Sequence, residues 1–244
     1  VSQNEISLSV VVPAYNEAEC LPELVNALRE TLLPLVESVE ILLVDDASTD
    51  ETLGVIEELC AMYPEVRGVR HVRNCGQSAA IVTGLHFARG RLMVTLDADM
   101  QNPPSEIPRL LAHLTPETDA VCGVRTERND PAVKKISSTV ANAFRNVITG
   151  VPVKDAGCGM RLLRSAAIEE LPVFNGLHRF MTTFLKLQGF AVLEIPIAHS
   201  PRFAGKSKYG IHNRLWRGIA DCFAIRWYAR RVVPARRTLS PRDV

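Results

Sequence analysis

The residues best equipped for chemistry stand just after short apolar runs. Asp97-Ala98-Asp99 follows Leu92–Leu96 and leads into Met100-Gln101-Asn102-Pro103-Pro104. In an extended segment, positions i, i+2 and i+4 face one side, so two carboxylates and the Gln101 amide oxygen would converge. That is a hard oxygen set suited to Mg2+ or Mn2+, and Mg2+ is commonly held by one or two carboxylates plus substrate phosphates. Alone, Asp-x-Asp is more often an acidic turn that caps a helix. Two more polar clusters close apolar runs: Tyr15-Asn16-Glu17 after Leu8–Val12, and Asp45-Asp46 after Ile41–Val44. The six cysteines (Cys20, Cys60, Cys75, Cys122, Cys158, Cys222) show neither CxxC nor zinc-ligand spacing. They read as reduced thiols.

The elements that would position these clusters alternate. Leu8–Val12, Ile41–Val44, Val66–Val72, Leu92–Leu96 and Ala120–Val124 read as strands. Between them, 18–36 carries Leu21, Leu24, Val25, Leu28 and Leu32 at helical spacing, and further helices are expected from Ser48 or Asp50 to Met62 and over 76–88. Another starts at Pro103-Pro104. Repeated β-α-β with continuous apolar strands implies an α/β fold with a mostly parallel central sheet flanked by helices. Ligands of such sheets bind outside the carboxyl ends of the strands, so the three clusters should share one cleft. The second half is less regular, with helices expected near 132–148, 165–171, 178–188 and 211–231 and a strand at Val192–Ile197.

With 47% apolar and 23% charged residues in 244, disorder and fibrous repeats are excluded. The longest stretch free of Asp, Glu, Lys and Arg is Asn74–Ala88, too short and too polar to span a bilayer. Val1-Ser2-Gln3-Asn4-Glu5 lacks the basic and apolar regions of a signal peptide, and a cytoplasmic location is expected. The net charge of +1 hides an asymmetry: residues 1–201 hold 17 Lys/Arg against 25 Asp/Glu, and residues 202–244 hold 11 against 2. An acidic body with a basic C-terminal arm follows.

Taken in order, Val11-Val12-Pro13-Ala14-Tyr15-Asn16-Glu17, Val44-Asp45-Asp46-Ala47-Ser48-Thr49-Asp50 and Leu96-Asp97-Ala98-Asp99 resemble family 2 glycosyltransferases of the GT-A fold. Gln101-Asn102-Pro103-Pro104, Asp155-Ala156-Gly157-Cys158-Gly159-Met160-Arg161 and Arg202-Phe203-Ala204-Gly205-Lys206-Ser207-Lys208-Tyr209 narrow the likeness to the polyprenyl-phosphate sugar synthases. This is the group of dolichol-phosphate mannose synthase, and the match covers roughly residues 8–210.

The resemblance implies roles residue by residue. Pro13, Ala14, Tyr15 and Glu17 would hold the nucleoside and ribose, Asp46 would accept a hydrogen bond from the base, and Val44 and Ala98 would line the nucleotide-sugar site. Asp97, Asp99 and Gln101 would hold Mg2+ or Mn2+ on the diphosphate, with Asp99 counted among the catalytic residues. Arg125 would reach sugar or phosphate, and Lys134 or Lys135 the acceptor phosphate. Arg202 and Lys208 flank a glycine-containing loop that would close over the diphosphate. Asp155 would orient or deprotonate the acceptor. A phosphomonoester is already anionic at neutral pH, its second pKa being about 6, so positioning is the preferred role. His178-Arg179-Phe180 departs from the family pattern and leaves recognition of the sugar hydroxyls open.

The implied reaction is inverting transfer of a hexose from a GDP- or UDP-linked donor to a polyprenyl phosphate. A rival is a family 2 transferase acting on a hydroxyl of a saccharide or glycolipid, which needs a base. Sugar nucleotidyltransferases need a glycine-rich loop that Pro13–Glu17 does not provide. A non-catalytic nucleotide-sugar-binding module is the remaining alternative. The chain divides into a GT-A domain over 1–209 and a basic amphipathic helix with its tail over 210–244. From Ile211 to Val233, Trp216, Phe223, Trp227 and Tyr228 alternate with Arg214, Arg217, Arg226, Arg230 and Arg231. That mixture suits an anionic leaflet and a peripheral place on the cytoplasmic face, though a helix docked on its own domain is an equal reading. Self-pairing through this helix would give a homo-oligomer. No helix-turn-helix, zinc or RNP pattern accompanies the charge, so nucleic acid is set aside.

Overall fold

Val10, Val11 and Val12 in the first apolar run are completely buried, as is every residue from Ile41 to Val44 except for traces. Strands this apolar must be covered on both faces. The computed structural model describes residues 6–125, 132–200 and 211–234, the side chains of 132–139 and 211–217 excepted. It contains one seven-stranded sheet in the order β3-β2-β1-β4-β6-β5-β7. The strands are β1 (Leu8–Ala14), β2 (Val39–Asp45), β3 (Val66–Arg70), β4 (Leu92–Thr95), β5 (Ala120–Arg125), β6 (Arg161–Arg164) and β7 (Val192–Ile197). The helices are α1 (Leu21–Leu32), α2 (Thr52–Met62), α3 (Gln77–Phe87), α4 (Ile107–Ala112), α5 (Ala132–Thr149), α6 (Met181–Leu187) and α7 (Ile211–Ala229).

Strands β1, β2, β3 and β4 are mutually parallel, as are β5 and β7, while β6 runs antiparallel between β4 and β5. The sheet is therefore mixed, and the sequence reading missed β6. Arg161-Leu162-Leu163-Arg164 offers two apolar residues between arginines, too little for a periodic signal. The helix expected over 165–171 is only a single 3-10 turn at Ser165–Ala167. The one expected over 178–188 divides into a 3-10 turn, Leu177–Arg179, and α6.

Two layers cover the sheet. On one face α1 buries Leu21, Leu24, Val25, Leu28 and Leu32 completely against β1 and β2. On the other, α3 approaches so closely that a Cβ on Gly84 would strike the Val11 side chain. That layer continues into α6 and α7, where Cys222 and Ile225 join Phe180 and Phe184 in a second core. Helix α7 is held further by Arg179–Asp221 at 3.1 Å, Arg226 Nη1 donating to the Ile148 carbonyl at 2.9 Å, and Tyr228 edge-on to Phe184 at 5.3 Å. No helix among the described residues is long and apolar enough to cross a membrane.

The sheet also buries acids, Asp45 and Glu40 both in β2. Glu40 in β2 is 2% exposed. Its carboxylate accepts from Ser9 Oγ at 2.5 Å, from the Arg89 amide at 2.9 Å and from the Arg67 guanidinium. Removing it takes the acceptor from Ser9 and the Arg89 amide and the buried charge partner from Arg67. Glu40→Ala should lower unfolding free energy by about 2–4 kcal/mol, because unpaired buried donors and a broken buried ion pair are both expensive. Urea denaturation checks this, and a loss under about 0.5 kcal/mol, the scatter of ordinary surface changes, would contradict it.

Candidate active site

The ends of β1, β2, β4 and β5 open onto a cleft of about 480 Å³. Three residues on its rim, Asn16, Ala47 and Met100, have left-handed backbones, with φ of 54°, 57° and 59°. Such conformations are uncommon outside glycine, and Asn tolerates them best. Each follows a strand that ends at the cleft, which is where backbone strain tends to collect. The first two exits are laced together. Asn16 N donates to Ser48 Oγ at 2.9 Å, Thr49 N to Asn16 Oδ1 at 2.8 Å, and Glu17 N to Thr52 Oγ1 at 2.8 Å. Only Asn16 carried a sequence signal for this geometry.

The two adjacent acids at the end of β2 have separate jobs. Asp45 is structural: its Oδ1 accepts from Ser48 N at 2.9 Å, and Arg70 Nε lies 3.3 Å from Oδ2. Asp46 lines the cleft. It accepts from the Cys75 and Gly76 amides at 2.8 and 2.7 Å, and His71 Nδ1 lies 2.7 Å from its Oδ1. Pro13, Ala14, Tyr15 and Glu17 line the same end of the cleft.

Asp97, Ala98, Asp99 and Gln101 form the floor. Gln77 Nε2 donates to Asp97 Oδ1 at 2.8 Å, and the Gln101 amide donates to Asp99 Oδ1 at 3.2 Å. Burial first, and then the charge of Asp99, push the Asp97 carboxyl above its ordinary range, against partial relief from Arg161 and Arg125. A buried carboxylate held up by a second one beside it is what a divalent cation would relieve, so these residues fit one. Gly159 makes room for the arrangement: a Cβ there would overlap the Asp97 carboxylate. It cannot withdraw, since its carbonyl accepts from Thr95 Oγ1 at 2.7 Å. Gly159→Ala should therefore leave a folded chain whose melting temperature no longer responds to Mn2+. A wild-type Mn2+ response in that variant would contradict the packing argument.

Across the cleft stands Arg125, paired with the buried Asp155. Arg125 donates through Nε at 2.7 Å, Nη2 at 2.9 Å and its own amide at 3.2 Å, and Gly157 N adds a fourth bond at 3.0 Å. Burial opposes the Asp155 charge, but the hydrogen bonds and charge of Arg125 prevail and hold the carboxyl below its usual range. The neighbouring Cys158 thiol is pushed up to about 12 by burial, which excludes it as a nucleophile.

Of the site residues expected from the sequence within the described residues, all line the cleft except Asp155, which reaches it only through Arg125, and Val44. That side chain packs with Leu42 and Ala80 under α3 rather than lining the cleft, because strand side chains alternate in direction and Asp45 and Asp46 carry the chain to the rim. Arg202 and Lys208 lie outside the described residues, as do the side chains of Lys134 and Lys135. Gln77 also lines the cleft and was missed, as were the apolar Ala80 and Ile81, while Arg161, His178 and Arg179 stood in motifs of the sequence but were given no site role. His178 Nδ1 lies 2.7 Å from Ser78 Oγ, and its carbonyl accepts from Arg161 Nη2 at 2.9 Å. Gln77 follows β3 at the start of a helix and was within reach of the strand-end rule. Arg161 enters from the unforeseen antiparallel strand.

A βαβ sheet with an acidic pair at the switch between its halves, facing arginines across an open cleft, is the architecture of a nucleotide-sugar transferase of the GT-A type. The chain belongs to glycosyl transferase family 2, whose family model matches residues 9–172. It is 37% identical over 215 residues to the undecaprenyl-phosphate 4-deoxy-4-formamido-L-arabinose transferase of Shewanella sediminis, covering 87% of this chain and 64% of that protein. It is 34% identical over 230 residues to the dodecaprenyl-phosphate galacturonate synthase of Rhizobium johnstonii, covering 92% and 68%. The chain thus spans less than two thirds of the Shewanella protein. Among solved structures, a mannosyltransferase from Pyrobaculum calidifontis in complex with GDP-Man and Mn2+ superposes with a TM-score of 0.65 at 21% identity, covering 91% of this chain and 64% of that one. Glucosyl-3-phosphoglycerate synthase from Mycobacterium tuberculosis, with Mn2+, UDP and phosphoglyceric acid, gives 0.66 at 19% identity, covering 93% and 80%. At such identities the likeness is one of fold.

Proposed function

We propose that this chain transfers a sugar from a nucleoside-diphosphate donor to a polyprenyl phosphate, with inversion at the anomeric carbon. The observation that carries the choice of acceptor is the state of Asp155. Four donors occupy its carboxylate and its pKa is depressed, so it is a poor proton acceptor. A sugar hydroxyl needs such a base; a phosphate monoester does not. The names of the relatives at 34–37% identity support the same acceptor class.

In this reading Asp46 takes the base N–H, and Pro13, Ala14, Tyr15 and Glu17 hold the nucleoside. Asp97, Asp99 and Gln101 would hold Mg2+ or Mn2+, which when bound neutralises the departing diphosphate. Asp155 clamps Arg125 so that its guanidinium is pre-aimed at the phosphate region, where oriented charge is worth most. Arg202 and Lys208 are assigned to closing the cleft over the diphosphate. The outer faces of α5 and α7 support a peripheral site on an anionic, cytoplasmic membrane surface: Phe144 is 40%, Phe223 53% and Trp227 60% exposed. Arg231 lies 4.8 Å over the Trp227 ring, a pairing suited to lipid headgroups.

The test is release of nucleoside diphosphate from a panel of UDP- and GDP-sugars on vesicles of phosphatidylglycerol carrying undecaprenyl phosphate. Release should require one donor, the lipid phosphate and a divalent metal, and should slow in Trp227→Asp. Equal release on vesicles lacking the lipid phosphate would refute the acceptor, and an unchanged rate in the variant the membrane face.

A further inference from the structure

A second metal-binding group stands at the nucleobase end of the cleft, and nothing in the family assignment calls for it. Asp46 at the exit of β2, His71 at the exit of β3 and Cys75 before α3 bring a carboxylate oxygen, an imidazole nitrogen and a thiol sulfur within 4.8 Å of one another. We propose that this trio is a soft-metal site that takes Zn2+, and that Zn2+ bound there excludes the donor nucleotide by occupying Asp46.

The chemistry of the ligands separates the two ends of the cleft. Asp97, Asp99 and Gln101 offer oxygen alone, which suits Mg2+ or Mn2+. Asp46, His71 and Cys75 offer one oxygen, one nitrogen and one sulfur, a mixture that selects Zn2+ or Co2+. Three protein ligands leave a fourth position open, and Asp46 itself lines the cleft.

The surroundings already orient two of the ligands. His71 Nε2 lies 2.9 Å from Thr83 Oγ1, so the ring can keep its proton there and turn the Nδ1 lone pair to a metal. Asp46 is fixed by the Cys75 and Gly76 amides. Such outer partners are what set the tautomer and direction of metal ligands. In a tetrahedral site, Zn–N and Zn–O of about 2.0–2.1 Å and Zn–S of about 2.3 Å put ligand atoms roughly 3.3–3.8 Å apart. His71 Nδ1 and Asp46 Oδ1, now 2.7 Å apart, need only spread slightly, and the exposed Cys75 side chain swings in. Binding releases the thiol proton to water, and the single ring proton is carried on Nε2 beside Thr83 Oγ1, leaving Nδ1 for the metal.

The thiol is also singular. Cys20, Cys122, Cys158 and Cys222 are buried and Cys60 is half-buried, whereas Cys75 is exposed. A thiophilic ion meeting the folded chain therefore finds one fully exposed thiol.

The site itself stands apart from the transferase reading; the exclusion of donor rests on that reading. Co2+ added to the whole chain should give one equivalent of thiolate-to-cobalt charge-transfer absorption, removed by Zn2+, absent in Cys75→Ser and weakened in His71→Ala. In turnover with saturating Mn2+, Zn2+ at about ten times its Kd should raise the apparent KM for donor about tenfold by simple competition. Cys75→Ser should keep wild-type turnover and lose that sensitivity. No charge-transfer band in the wild type, or a band that survives in Cys75→Ser, overturns the site. A proper band without competition against donor leaves the site standing and overturns the nucleobase role of Asp46.

Discussion

Asp97→Asn is expected to raise the melting temperature of the metal-free chain while reducing turnover by roughly a thousandfold. The two effects have one origin. Burial, then the charge of Asp99, raise the Asp97 pKa in the folded chain, so between the unfolded value, about 3.9, and the folded one the native state binds more protons. Stability then falls as pH rises through that window. Asn carries no charge to bury and still accepts from Gln77, whose bond to Asp97 Oδ1 is 2.8 Å. Each kcal/mol recovered is worth roughly 2–4 °C in a chain of this size. The loss of turnover follows because preorganised charge at a departing diphosphate contributes several kcal/mol to the barrier. Calorimetry in EDTA and then in Mn2+ checks both. The wild type should gain stability from Mn2+ and the variant should not; a variant less stable than wild type in EDTA would contradict the account.

Asp155→Asn is the second large effect, and its pattern separates the acceptors. The substitution removes the charge and one of the two side-chain contacts with Arg125, now at 2.7 and 2.9 Å. Breaking a buried pair from one side costs about 3 kcal/mol. That contribution, from an acid whose folded pKa is depressed, is present above the unfolded value and is lost as pH falls through the folded one. The variant should thus lose most at neutral pH and differ little from wild type in strong acid. Displacing Arg125 should cut turnover about a hundredfold, the usual penalty for misplacing a positioning group. The residual activity should keep the wild-type pH profile, since no proton is taken by this carboxylate. Activity that vanishes, or that returns only as pH rises, would make Asp155 a base and favour a hydroxyl acceptor.

The legible part of this molecule was the half built from parallel strands. Leu8–Val12, Ile41–Val44 and Leu92–Leu96 are apolar runs cut off by polar clusters, and the strand-end rule carries those clusters to one cleft. Strand β6 escaped because Arg161 and Arg164 interrupt its two leucines, and with it went Arg161. The steric fit of Gly159 to Asp97 depends on two strands meeting in antiparallel register, which no local pattern encodes. Asp46, His71 and Cys75 are 25 and 29 residues apart from first to second and first to third, far from any ligand spacing, and only the β2–β3 pairing and the turn into α3 bring them together. The C-terminal helix was legible as a helix. Its docking was not, because Cys222 and Ile225 on the buried face give no sign of which partner they meet.

The most direct test of the central claim is mass spectrometry of the lipid after incubation with undecaprenyl phosphate, the donor selected from the panel, and Mg2+ or Mn2+. The account predicts a lipid carrying one sugar on its single phosphate, formed with metal and not with EDTA. Donor consumed while the lipid stays unmodified and a saccharide or glycolipid hydroxyl is glycosylated would contradict it.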